Sequence, residues 1–178
     1  MRTAILVLAA AVASAHGQTA PPAQPARQGS PAAATGEARA AAFDAAAPGY
    51  RQVRWHRDLA SGQGACVGYF DRGELRLIEE TVARPGAPSL SNRYYFERGA
   101  LFYFSGEMPA TAVGAGPAAV APRVAVRAEF RGAATLSAVR IEHYGEVRLD
   151  PAAIADIRRD AATLATATAA ERAAPARR

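Results

Sequence analysis

Hydrophobic and polar residues alternate with a period of two through much of the middle of the chain. In 123–130, Val124, Val126, Ala128 and Phe130 share one face, while Arg123, Arg127 and Glu129 lie on the other beside Ala125. Successive side chains of a strand point to opposite sides, so this pattern predicts a strand with one buried face. Residues 51–58 alternate in the same way, Val53 and Trp55 against Arg54 and His56. Ten of the thirteen aromatic residues fall between Tyr69 and Tyr144, in runs with β-branched and apolar neighbours. Such runs favour strands.

An internal echo gives the order of these strands. Tyr69-Phe70-Asp71-Arg72-Gly73-Glu74-Leu75 recurs as Tyr95-Phe96-Glu97-Arg98-Gly99-Ala100-Leu101, and a looser copy is Phe130-Arg131-Gly132 followed by Thr135-Leu136. Each copy reads as a tight hairpin. The acid and Arg are expected to fill a type I turn, with the glycine in the left-handed position that starts a bulge. Three hairpins follow: 65–70 with 74–80, 92–96 with 100–105, and 123–130 with 135–144. With the strand at 51–58, the expected fold is mainly β (α+β). It is a single antiparallel meander sheet of about seven strands, twisted or partly closed, with one C-terminal helix packed on it.

That helix is predicted from Asp150, a good N-cap, and Pro151, which suits the first helical position. Ile154, Ile157, Ala161 and Leu164 then form one stripe at helical spacing. The middle hairpin differs from the others. Tyr94, Tyr95, Phe96, Leu101, Phe102, Tyr103 and Phe104 place large apolar groups on both of its faces. Either both faces are covered, or one is an aromatic binding patch. Tyr95 and Tyr103 beside Arg93 and Arg98 are the candidate binding residues, because Tyr and Arg dominate interface energetics.

The ends of the chain have a different texture. Arg2, an apolar run over 4–13, and Ala13-Ser14-Ala15 have the three parts of a secretory signal peptide spanning 1–15. The apolar run is shorter than the roughly 20 residues a membrane span needs, and no later stretch supplies one. Residues 16–47 form an Ala/Pro-rich leader with little to bury, expected to be disordered, although 37–47 suits a transient alanine helix. The soft stretch 106–122 is expected to be a long loop. The hairpin domain covers 48–169, and 170–178 is a disordered tail. A periplasmic or secreted location follows.

Charge excludes more than it assigns. All 21 basic side chains are Arg, and the net charge is +5. Arginine and alanine are both in excess, as in any GC-rich coding sequence, and the charges of 48–150 are interspersed and nearly balanced. This is a solvated surface and no nucleic-acid footprint. The single Cys66 rules out an internal disulfide and reads as a small buried hydrophobe or an intermolecular thiol.

Candidate chemistry is sparse. His56 and Asp58 share a strand face, but two ligands are too few for a tight metal site. Glu142 and His143 point to opposite faces, as do Glu79 and Glu80, which suit a strand end. His16 would become N-terminal after cleavage, with nothing to hold a third ligand nearby. No nucleophile elbow, phosphate loop or zinc motif occurs, and the chain calls for no cofactor and no metal.

The repeated unit resembles the aromatic–turn–Gly–x–Leu hairpins of small bacterial exported proteins and, loosely, MORN-type repeats. The resemblance covers 69–75 and 95–101, with a faint third copy, and implies a hairpin but no activity. Ser91-Asn92-Arg93-Tyr94 is similar to the Ser-Gly-x-x-Tyr stretch of periplasmic lysozyme inhibitors. The glycine and the cysteine pair of that family are missing here. The expected function is a non-catalytic binding module of the envelope or secreted space, taking an envelope protein or a polysaccharide. An inhibitor of a cell-wall enzyme such as lysozyme, acting through a protruding loop at 89–93, and a hydrolase built around His56, Asp58 or His143 are the alternatives.

Overall fold

A computed structural model of the protein describes residues 34–59, 62–84, 87–109, 123–142 and 145–174. The expected signal peptide, His16, residues 110–122 of the soft stretch, His143 and 175–178 lie outside them. Helix α1 (Gly36–Ala46) leads through a 3₁₀ turn (Ala47–Gly49) into eight strands. These are β1 (Arg51–Leu59), β2 (Gly62–Asp71), β3 (Glu74–Arg84), β4 (Ala87–Glu97), β5 (Ala100–Pro109), β6 (Arg123–Arg131), β7 (Ala134–Glu142) and β8 (Gly145–Arg148). Helix α2 (Pro151–Ala173) closes the described chain. The strands pair antiparallel in sequence order, in one open sheet. The meander and its C-terminal helix are those expected. The eighth strand was not foreseen, because β8 is only the four exposed residues Gly-Glu-Val-Arg.

The echoed hairpins are present with a different turn. Asp71 pairs with Glu74 and Glu97 with Ala100, so only Arg72-Gly73 and Arg98-Gly99 remain to reverse the chain. Both members of each pair have positive φ: 48° and 92°, 51° and 77°. This is a type I′ turn, whose twist matches the flanking strands better than the expected type I. An arginine held there costs roughly 1–2 kcal/mol, and the glycine beside it nothing. In the third hairpin Gly132 comes first, at φ 57°, as a type II′ turn requires.

A bulge lies one pair beyond each turn, at the same place in all three hairpins. Tyr69 faces Leu77 but Phe70 faces Leu75, which leaves Arg76 as the extra residue. Phe102 and Leu136 are the extra residues of the next two hairpins by the same reading.

The sheet is apolar on both faces. Trp55, Cys66, Ile78, Tyr94, Phe96, Phe104, Val126 and Phe130 lie under α2, against its Ile157, Ala161 and Leu164. Each large side chain so covered contributes roughly 1.5–3 kcal/mol. Leu77, Tyr95, Phe102 and Tyr103 form a second cluster on the opposite face, under Ala40 and Phe43 of α1. Thus 36–46, within the stretch expected to be a disordered leader, is an ordered helix. Thr35 Oγ1 accepts from Ala38 N to cap it. The helix expected only transiently over 37–47 is thus stably formed, which its sequence does not announce because its apolar stripe is little more than Ala40 and Phe43.

Asp150 caps α2 by accepting from Ala153 N at 2.9 Å. The helix continues past residue 169 to Ala173. Its second half is locked to the sheet where Trp55 Nε1 donates to Thr168 Oγ1 at 3.2 Å. Directly beneath, a methyl group on Gly68 would stand 2.2 Å from Thr168 Cγ2. Gly68→Ala is therefore expected to cost about 1–3 kcal/mol in chemical denaturation. Adding Thr168→Ser, which removes only that methyl group, should restore most of the loss.

Candidate docking surface

The four candidate binding residues are not one exposed patch. Tyr95 and Tyr103 are buried under α1, 2% and 6% exposed. The Tyr95 hydroxyl donates to Asp44 at 3.0 Å. Arg93 joins them from the rim, bridging Asp44 at 3.3 Å and Glu79 at 2.8 Å. Burial works against the Arg93 charge, but Asp44 and Glu79 outweigh it and hold the guanidinium above its ordinary pKa. Burial and the neighbouring Asp44 carboxylate push the Tyr95 hydroxyl well up. Arg98 stands apart, exposed in the β4–β5 turn. The aromatic face thus serves as a seat for α1. The segment 89–93, expected to be a protruding loop, lies inside β4, paired with β3 from Leu90 and with β5 from Asn92.

Helix α1 crosses the strands along the row of bulged residues. Phe43 meets the Phe102 ring edge-on at 5.5 Å, and the Arg76 guanidinium lies 5.7 Å from the Phe43 ring. Arg39 stacks 4.1 Å above Phe102 and pairs with Glu97 at 2.5 Å. Glu37 reaches Arg127 at 3.3 Å. At the start of the helix Glu129 packs against Gly36, where a side chain would collide with it at 2.8 Å. A carboxylate there suits the positive end of the helix dipole. The helix therefore covers the first two bulged residues and begins before it reaches the third.

Leu136, that third residue, is 48% exposed, one of two large apolar side chains so exposed among the described residues. It lines a depression of about 500 Å³ at the hairpin tips, with Thr35, Leu101, Phe102, Phe130 and Arg131. The β5–β6 ladder ends at Tyr103↔Glu129, so the two hairpin tips part there. A smaller hollow of about 280 Å³ opens on the α2 side of the same gap, sharing Ala100, Leu101 and Gly132. Arg158 braces this end by donating to the carbonyls of Gly132, Ala133 and Ala134 at 2.9–3.0 Å. No sequence signal marks Leu136 as a site, because its importance comes from where α1 begins.

The other candidate residues are dispersed. His56 and Asp58 are exposed on β1, across from Ala65 and Gln63. No group of three metal-ligating side chains occurs among the described residues. Glu79 and Glu80 lie in mid-strand, since β3 runs on to Arg84. Glu79 accepts from the Tyr69 hydroxyl at 2.6 Å on the α1 side. Burial and that bond push Tyr69 up to about 12.

Glu80 is buried on the α2 side, 1% exposed. Arg57 reaches it at 2.5 Å, and Asn92 and the Tyr94 hydroxyl donate to it at 3.4 and 3.5 Å. Cys66 lies in the same layer as a buried free thiol. Burial and the Glu80 charge push that thiol up to about 12, which makes it unreactive. A reactive intermolecular thiol is not what the fold presents.

Asp160 of α2 faces this cluster. Burial raises its carboxyl pKa, Arg57 pulls it down, and Glu80 raises it further, with a net rise. A carboxyl raised in the folded state contributes stability that is full in acid and is lost as pH rises through the folded value. Asp160→Asn should therefore raise Tm by about 1–3 °C at pH 7. The gain should shrink toward zero as thermal melts are repeated below about pH 4, where the native carboxyl also carries a proton. Comparison of the chain with protein-family models, with curated proteins and with solved structures gives no match to any of the three.

Proposed function

We propose that the protein is an exported, non-catalytic binding module that docks an envelope or secreted partner at its hairpin tips. The signal-like N-terminus supports export. None of the described helices is long and apolar enough to cross a membrane. One observation carries the docking reading. Of three equivalent bulged side chains, Arg76 and Phe102 are covered by α1, and Leu136 is left open over a depression of about 500 Å³. An open apolar side chain in a concave, partly apolar setting is what a partner's anchoring residue requires. The depression is ringed by Arg39, Glu97, Glu129 and Arg131. An apolar centre inside a polar rim is the usual anatomy of a protein interface.

Capture of a partner from envelope extract tests the reading. Leu136→Arg should abolish capture by the immobilised protein, while Tm stays within about 2 °C because an exposed side chain is changed. The Tyr95→Ala, Tyr103→Ala double variant should instead lower Tm strongly by emptying the seat of α1. Unchanged capture by Leu136→Arg would remove the hairpin tips as the docking surface.

A further inference from the structure

The strand that carries Leu136 has an outer edge that β8 covers only in part. β8 pairs with Val139–Glu142 of β7 and ends there. The chain then turns away, Leu149 N donating to Ala138 O at 2.8 Å. No described strand pairs with the outer edge of Ala134–Ser137, and all four of these residues are exposed, with Arg158 of α2 donating to the Ala134 carbonyl and the Thr135 hydroxyl at the turn end of the stretch. A hollow of about 430 Å³, lined by Leu136, Ala138, Val139, Arg148 and Ile154, runs along this edge.

Sheet edges are usually protected by charge, because an unpaired edge is a template for another strand. The opposite edge of this sheet obeys that rule: β1 carries Arg51, Arg54, Arg57 and Asp58 in nine residues. The stretch Ala134-Thr135-Leu136-Ser137-Ala138 carries no charge at all. It is bracketed by arginines instead. Arg131 pairs with Ala134 at one end, and Arg148 pairs with Val139 at the other. Both are exposed, and neither makes an ion pair with a described residue. The nearby acids are engaged or displaced. Glu129 packs on Gly36, Asp150 caps α2, and Glu146 lies two residues farther along β8.

We propose that the Ala134–Ser137 edge of β7 receives an extended peptide of another protein as an added strand. Its middle is uncharged and its flanks are acidic. This deepens the docking reading above and rests on it. Main-chain hydrogen bonds supply affinity in such strand addition, and pockets for alternate side chains supply selectivity. Here one alternate side chain of the guest enters the hollow beside Leu136, and its acids meet Arg131 and Arg148. A second copy of the same edge fits poorly, because antiparallel self-pairing brings two like-charged ends together.

The test uses the full chain and a fluorescein-labelled eleven-residue probe peptide with a Thr/Val core and two Glu at each end. Anisotropy should show saturable binding that weakens as salt rises. The same core with Lys ends should bind at least about tenfold more weakly. Arg131→Glu with Arg148→Glu should reverse that preference. N-methylating one alternate set of core amides should abolish binding, while methylating the other set leaves it, because successive amides of a strand point to opposite sides. Equal tolerance of both sets, or no binding by the acid-ended probe, would overturn strand addition. A concentration-dependent dimer in sedimentation, lost in Leu136→Arg, would put a second copy on the edge and overturn the proposal equally. The two readings fail separately. If Leu136→Arg loses partner capture but the probe does not bind, the docking surface stands and strand addition falls. If the probe binds and Leu136→Arg still captures its partner, the docking reading falls.

Discussion

A single open sheet has two faces, and here neither can be left to water. The middle hairpin carries Tyr94, Phe96 and Phe104 on one side and Tyr95, Phe102 and Tyr103 on the other. Every other part of the architecture answers that constraint. α2 arrives from the end of the chain and covers the first face with a true apolar stripe. α1 arrives from the beginning and covers the second with little more than Ala40 and Phe43, supplemented by ion pairs at its margins. An alanine-rich helix of this length is marginal alone in water. Its order therefore comes from the aromatic seat beneath it, and its extent decides which part of the sheet stays open.

Much of the sheet was legible in the sequence. The repeated aromatic–acid–Arg–Gly–x–Leu unit located two turns, and the alternation of Val124, Val126, Ala128 and Phe130 located a strand and its buried face. The turn type was read differently because an Arg-Gly pair is compatible with both readings, and only the register decides between them. The bulges at Arg76, Phe102 and Leu136 leave no mark in the hydrophobic pattern. They became visible only when each strand was set against its partner. β8 was missed because four exposed residues have no buried face to reveal.

The candidate site was less legible for a related reason. Aromatic density on the middle hairpin pointed to two alternatives, a covered face or an exposed one, and the composition of α1 gave no hint of which would hold. Tyr95 and Tyr103 do meet Arg93, but with Asp44 closing over them. Glu80 was read as the end of a strand, whereas Arg57, Asn92 and Tyr94 gather around it from β1 and β4. A buried charge is tolerated only with such partners. These come from separate strands, so no local motif announces them.

The contact between Trp55 and Thr168 joins positions 113 apart in the chain. The strands pair only with their sequence neighbours, so the sheet is assembled from local closures of the kind that form quickly. Docking of the two helices supplies the long-range events, and that of α2 spans the greater separation. The chain holds one tryptophan, and it sits at that junction. Its emission therefore reports the seating of the last helix on top of the pairing of β1 with β2, in which Trp55 also takes part. Far-ultraviolet circular dichroism senses the strands in turn. The molecule thus carries its own optical clock for separating hairpin assembly from final closure.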